Sequence, residues 1–147
     1  MNALFTSTGF LRYGGAVLLL VGIVGFLGIF NSFEFFSLDA GENYAHTVLG
    51  IVGLAAGFGM ASNTGLHRLL TWVLFVTAVV FTLWGLILPS GGTLSNGTWS
   101  TPNFYGLANL ENPADSLLHL VVAAWAGYAL WNERRMPMMA KPAGGMR

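Results

Sequence analysis

The sequence contains no cysteine, so it can hold no disulfide framework, thiolate metal site, iron–sulfur cluster or cysteine nucleophile. Charge is almost as scarce, at 8% of 147 residues against roughly 25% in a soluble domain. With 54% hydrophobic residues and 20 glycines besides, the composition excludes a soluble globular fold. Six Lys and Arg balance six Asp and Glu, and a net charge of zero supplies neither a nucleic-acid-binding surface nor a long-range steering field. Also missing are HExxH, the GxSxG nucleophile elbow, the phosphate-cradling GxxxxGK[ST] and the Glu-x-x-His of di-iron bundles. No catalytic set is complete, and the chain is expected not to be an enzyme.

What the chain has is long apolar runs. A membrane span needs about 20 mostly apolar residues, and four segments qualify, at about 14–30, 43–60, 68–88 and 115–131. Backbone inside a bilayer must satisfy its own hydrogen bonds, and runs this long without period-two alternation are helices. The expected fold is all-α: a single transmembrane domain over 1–147, an integral membrane four-helix bundle running up-down-up-down. Pro89 removes a donor and ends the third span. No small-x-small cleavage site follows Phe30, so the first span is read as a helix and not as a signal peptide.

Orientation follows the bases. Arg12, Arg68, Arg134, Arg135, Lys141 and Arg147 all fall on one side of a four-span chain, which places the N-terminus, the second loop and the C-terminus in the cytoplasm. Glu34, Asp39, Glu42, Glu111 and Asp115 fall on the other. Glu133 alone breaks the segregation. The outer loops are 31–42, whose Phe33, Phe35 and Phe36 suit the headgroup boundary, and 89–114, where Asn96-Gly97 predicts a hairpin cap against the alternative of an irregular loop. The tail, 136–147, reads as a flexible cytoplasmic end.

A shift of 73 residues lays the second helix on the fourth: Glu42 on Asp115, Asn43 on Ser116, His46 on His119, Gly50 on Ala123 and Gly53 on Ala126. The chain thus reads as two similar helical hairpins in tandem, related by an axis along the membrane normal. His46, Gly50, Gly53 and Gly57 share one helical stripe. Gly53 and Gly57 form a GxxxG pair, and Ala123 with Gly127 the looser small-xxx-small version, so all five small residues are candidate helix-packing positions.

His46 and His119 each lie one turn inside the outer boundary, four residues after a carboxylate. Two readings stand. Each imidazole bonds locally to its acid or to a loop carbonyl, pinning loop to helix, or the pair binds a cofactor, since imidazole ligates haem iron, chlorophyll-type rings and transition metals. Glu42, Asn43, Asp115 and Ser116 are the residues placed to support either role. Proton transfer or sensing at the outer face is the remaining use of a near-neutral imidazole.

Three segments resemble a bacterial family of small four-span membrane proteins known as domain of unknown function 4383. They are Asn43-Tyr-Ala-His46-Thr-Val-Leu-Gly50-Ile-Val-Gly53-Leu-Ala, Thr82-Leu-Trp-Gly85-Leu, and Asn103-Phe through Asn112-Pro-Ala-Asp115-Ser-Leu-Leu-His119-Leu. That family repeats Asn-x-x-His at the head of the second and fourth helices; Asn43 keeps the pattern and Ser116 departs from it. The resemblance implies a bacterial inner-membrane protein and four spans, and no activity. The expected function is that of a noncatalytic accessory or structural subunit in the lipid bilayer, packing against other membrane proteins or copies of itself. The alternatives are a haem- or (bacterio)chlorophyll-type cofactor binder using His46 and His119, and a small transporter or sensor.

Overall fold

In a computed structural model, residues 3–29, 38–60, 62–87, 99–100 and 111–135 are described, at 99–100 and 111–112 by backbone alone. A 3-10 turn, Ala3–Phe5, leads into helix α1, Ser7–Phe26. Helix α2, Ala40–Leu54, continues as a π-helical segment, Ala55–Gly59. Helix α3 is Thr64–Ile87 and helix α4 is Ala114–Arg135. Between them, Trp99–Ser100 (β1) pairs antiparallel with Glu111–Asn112 (β2), Trp99 opposite Asn112. The Asn96-Gly97 turn lies outside the described residues, as do the aromatic residues of the first outer loop and the C-terminal tail.

Local chemistry sets the ends. The Thr6 side chain accepts from the Gly9 amide at 3.0 Å and starts α1 seven positions before the apolar run does. Arg12 therefore stands inside the helix and not ahead of it. Gly28, at φ 68°, turns the chain out of α1 in the left-handed conformation that glycine adopts without penalty. Asp39 and Glu42 form a reciprocal capping box at the start of α2, with bonds of 2.9 and 3.0 Å.

Among the described residues three helices, α1, α3 and α4, are long and apolar enough to cross a membrane. Packing inverts the soluble pattern. Leu20, Leu27, Ile87 and Val121 are more than 60% exposed, while the interior holds small and polar residues: Ser7, His67, Thr71, Ser116, Ala126 and Ala129 are nearly or wholly inaccessible. Lipid offers no hydrophobic drive to bury aliphatics, so helices meet through residues that permit close approach and through hydrogen bonds. Thr71 and Thr82 tie their hydroxyls back to the His67 and Ala78 carbonyls, each at 2.8 Å.

The most extensive packing is α1 along α2 and α3 along α4, with lighter contact of α1 against both α3 and α4. Gly15 and Gly50 bring α1 and α2 to backbone contact: a Cβ on Gly50 would stand 2.8 Å from the Gly15 carbonyl oxygen, and one on Gly15 would stand 3.0 Å from the Gly50 carbonyl oxygen. Phe10 and Leu11 of α1 form the core with Ala56, Ala126 and Ala129, and Phe10 meets Trp125 edge-on at 5.0 Å. From Glu42 to Phe58, each residue is buried, half-buried or exposed like the residue 73 positions later, except at Thr47 against Leu120 and Val52 against Trp125.

Candidate functional site

The two histidines singled out from sequence occupy equivalent places, both half-buried, one turn into α2 and α4. Glu42, Asn43, Asp115 and Ser116, the residues at the head of each helix, are all buried. Neither imidazole bonds the carboxylate four residues before it. His119 Nδ1 donates to the backbone carbonyl of Asp115 at 2.8 Å; a carbonyl only accepts, so the proton is on Nδ1 and Nε2 carries the lone pair. His46 Nδ1 has no hydrogen-bond partner among the described residues. His46 lies within electrostatic range of His119, and the His119 ring lies against Phe81 with centroids 5.3 Å apart and planes 32° from parallel.

The glycine stripe beside His46 is filled by protein. Gly50 and Gly53 lie on the backbone of α1 around Leu11, Gly15 and Leu19, and Gly57 on Arg12. It therefore forms the α1–α2 contact, and a flat macrocycle cannot lie in the stripe itself. On α4, Ala123 is buried, and Gly127 makes room for the Phe75 ring, whose nearest carbon would stand 3.0 Å from a Cβ there. Asn43 Oδ1 and Thr47 Oγ1 have no hydrogen-bond partner among the described residues. Each is aimed at a glycine of α1, Gly25 and Gly22 respectively, where a Cα–H stands in place of a side chain and makes the weak contact typical of close helix pairs.

A second polar cluster, at the opposite end of the helices, was not evident in the sequence. His67 is wholly buried. Its Nε2 donates to the Ala56 carbonyl at 3.0 Å, and its Nδ1 accepts from the Thr8 hydroxyl at 2.7 Å. Arg12 donates through Nε to the Gly57 carbonyl at 2.7 Å and lies over the Phe58 ring at 4.7 Å. Both carbonyls belong to the π-helical segment, whose widened turn is a common way of presenting backbone groups to partners. Glu133 accepts from the amide and hydroxyl of Ser7 and from Arg68 Nε. Trp125 and Asn132 donate to the Leu4 and Phe5 carbonyls at 3.0 and 2.9 Å. The start of α1, the end of α2, the start of α3 and the end of α4 are thus knitted together. His67 carried no signal in the sequence, because its partners lie 59 and 11 residues away. The one signal present was Glu133, a lone acid among bases.

Among the described residues no cluster of three or more His, Cys, Asp or Glu is arranged around a metal position. Compared with protein families, curated proteins and solved structures, the chain matches none.

Proposed function

We propose that the chain is a small noncatalytic integral membrane protein, an up-down-up-down bundle of two similar hairpins. It serves as an accessory or structural subunit beside other membrane proteins or copies of itself. One observation carries this reading: the start, end, start and end of successive helices meet in a single polar network, while the helix shafts present aliphatic side chains outward. Alternating crossing of a bilayer requires that convergence. The 15 residues of α2 and the five of the π-helical segment together approach the length of a fourth span. The bases at the network end favour a cytoplasmic location for both termini. The resemblance to the family of unknown function belongs to the same proposal and suggests a bacterial inner membrane. Because the small residues of α2 are consumed by α1, the aliphatic outer faces are what remain for partners.

The absence of cysteine makes the test direct. Ser62→Cys should react with a membrane-impermeant maleimide only after permeabilisation, and Ser95→Cys in intact cells; the reverse pattern overturns the topology. A photo-crosslinker at outward-facing Val48 or Val121 should give defined adducts in native membranes, and a strict monomer without adducts overturns the subunit role.

The His119 tautomer favours a second reading, ligation of a haem or a (bacterio)chlorophyll-type ring by His46 and His119. Ligating histidines are commonly oriented by a hydrogen bond from the other ring nitrogen, as His119 is by Asp115. A ring-type absorption band in gently purified protein, lost in His46→Ala and His119→Ala, would establish it; a colourless folded preparation overturns it.

A further inference from the structure

Arg134 and Arg135 end α4, and each guanidinium is stacked on an indole: Arg135 over Trp131 at 3.8 Å and Arg134 over Trp72 at 5.5 Å. Behind each indole stands a further aromatic ring. Trp131 meets Tyr128 at 5.5 Å, and Trp72 meets Phe75 edge-on at 5.4 Å. Stacking fixes the plane of a guanidinium and turns its N–H edge away from the ring. Both arginines are exposed, and neither donates a hydrogen bond among the described residues.

Among the described residues no carboxylate answers their charge. Of the chain's six acids, five precede α2 or α4 or lie in the first turns of those helices. The sixth, Glu133, has both oxygens engaged by Ser7 and Arg68. Residues 136–147 add Lys141 and Arg147 and no acid. The face therefore calls for an external anion, and guanidinium edges match phosphate oxygens.

The same face of α3 continues inward as an apolar track. One turn beyond Trp72, about 6 Å by the helical rise, begins a groove of about 160 Å³ lined by Val76, Thr77, Val80, Phe81 and Trp84. Trp72, Val76, Val80 and Trp84 recur every four residues and form one ridge, inclined to the helix axis, that runs from the anion site into the groove. We propose that Arg134 and Arg135 hold the phosphate of an anionic glycerophospholipid, one of whose acyl chains lies in the Val76–Trp84 groove. The inference rests on the membrane reading above.

The test is native mass spectrometry of the full chain in detergent, titrated with phosphatidylglycerol and with phosphatidylcholine of the same acyl chains. Phosphatidylglycerol should bind at least about tenfold more tightly, with a loss of about fivefold in Arg134→Ala or Arg135→Ala and about thirtyfold in the double variant. Arg134→Lys with Arg135→Lys keeps the charge but loses the planar stack, and should recover less than half of the lost affinity. Val80→Trp fills the groove, leaves the arginines untouched and should weaken the lipid severalfold. Helicity and melting temperature identify folded variants, and the lysine and groove variants carry the test if the alanine pair fails to fold. Equal binding of the two lipids, full rescue by lysine, or displacement of the lipid by millimolar inorganic phosphate each overturns the proposal. Binding in detergent is independent of which way the chain crosses a bilayer, so it can fail while the maleimide pattern holds, and the reverse.

Discussion

Glu133 closes the N-terminus of α1 from 126 residues away: one carboxylate oxygen accepts from the Ser7 amide at 2.7 Å and the other from the Ser7 hydroxyl at 2.8 Å. Ser7 is the first residue of α1, so its amide is one of the donors that a helix start leaves without an intrahelical partner. The carboxylate also suits the positive end of the helix dipole. The same side chain accepts from Arg68 Nε at 3.1 Å. One acid thus joins α1, α3 and α4, which accounts for its place among bases.

Glu133→Ala should destabilise the fold by about 2–4 kcal/mol, because a buried amide and hydroxyl lose their shared acceptor. Ser7→Ala removes the hydroxyl bond alone and should cost about 1 kcal/mol. The two substitutions should be strongly non-additive in a double-mutant cycle. The Arg68 side chain is 46% exposed, and Arg68→Ala should change stability by less than about 1 kcal/mol. Thermal or denaturant unfolding in one detergent checks all four; an Arg68 effect as large as that of Glu133 would contradict the assignment.

Gly50 should be the least replaceable glycine of α2. A Cβ there would lie 2.5 Å from the Leu19 amide nitrogen and 2.8 Å from the Leu19 Cα. These are backbone atoms, so the two helices must move apart. Gly50→Ala should cost about 1–3 kcal/mol by overpacking. At Gly59 a Cβ meets nothing within 4 Å, and Gly59→Ala should be neutral or slightly stabilising. Equal effects of the two substitutions on unfolding would show that the glycine stripe is not the α1–α2 contact.

These residues mark what the sequence could convey. Helix length and apolarity are local, so α1, α3 and α4 were legible as long apolar helices. The 73-residue repeat was also legible, because the alternation of small, polar and aliphatic residues that fits the packed face of α2 recurs along α4. The stripe Gly50, Gly53, Gly57 was legible as a packing face, but not that α1 fills it; periodicity states which side of a helix is small and is silent on what approaches. His67 and Ser7 carried no signal, since each is defined by a partner distant in sequence. For Glu133 the exception to the charge pattern was the signal.

His67→Phe should destabilise the protein by about 2–4 kcal/mol, although it keeps an aromatic ring. The Thr8 hydroxyl loses its acceptor and the Ala56 carbonyl one of its two donors, Met60 N–H remaining at 3.2 Å. The effect should be local as well as global. Amides of the π-helical segment Ala55–Gly59 should exchange faster with solvent relative to those of α3. Hydrogen exchange read by mass spectrometry checks this, and unchanged protection of 55–59 would show that His67 does not hold the segment.

The hydrogen bonds also force opposite tautomers on two histidines of one chain. His67 presents Nε2 to the Ala56 carbonyl, and His119 presents Nδ1 to the Asp115 carbonyl. A carbonyl has no proton to give, so when neutral the first ring is protonated at Nε2 and the second at Nδ1. The Thr8 hydroxyl supports this at His67, since it can donate to the bare Nδ1 at 2.7 Å. In protein labelled with 15N-histidine and held at a pH where the rings are neutral, long-range 15N–1H correlations should show a protonated Nε2 for His67 and a protonated Nδ1 for His119. Thr8→Val should disturb the His67 ring signals and leave those of His119 in place. The same tautomer at both rings would mean that one of the two carbonyl bonds is absent. If that bond is the one at His119, its Nε2 is no longer left with the lone pair on which the ligation reading depends.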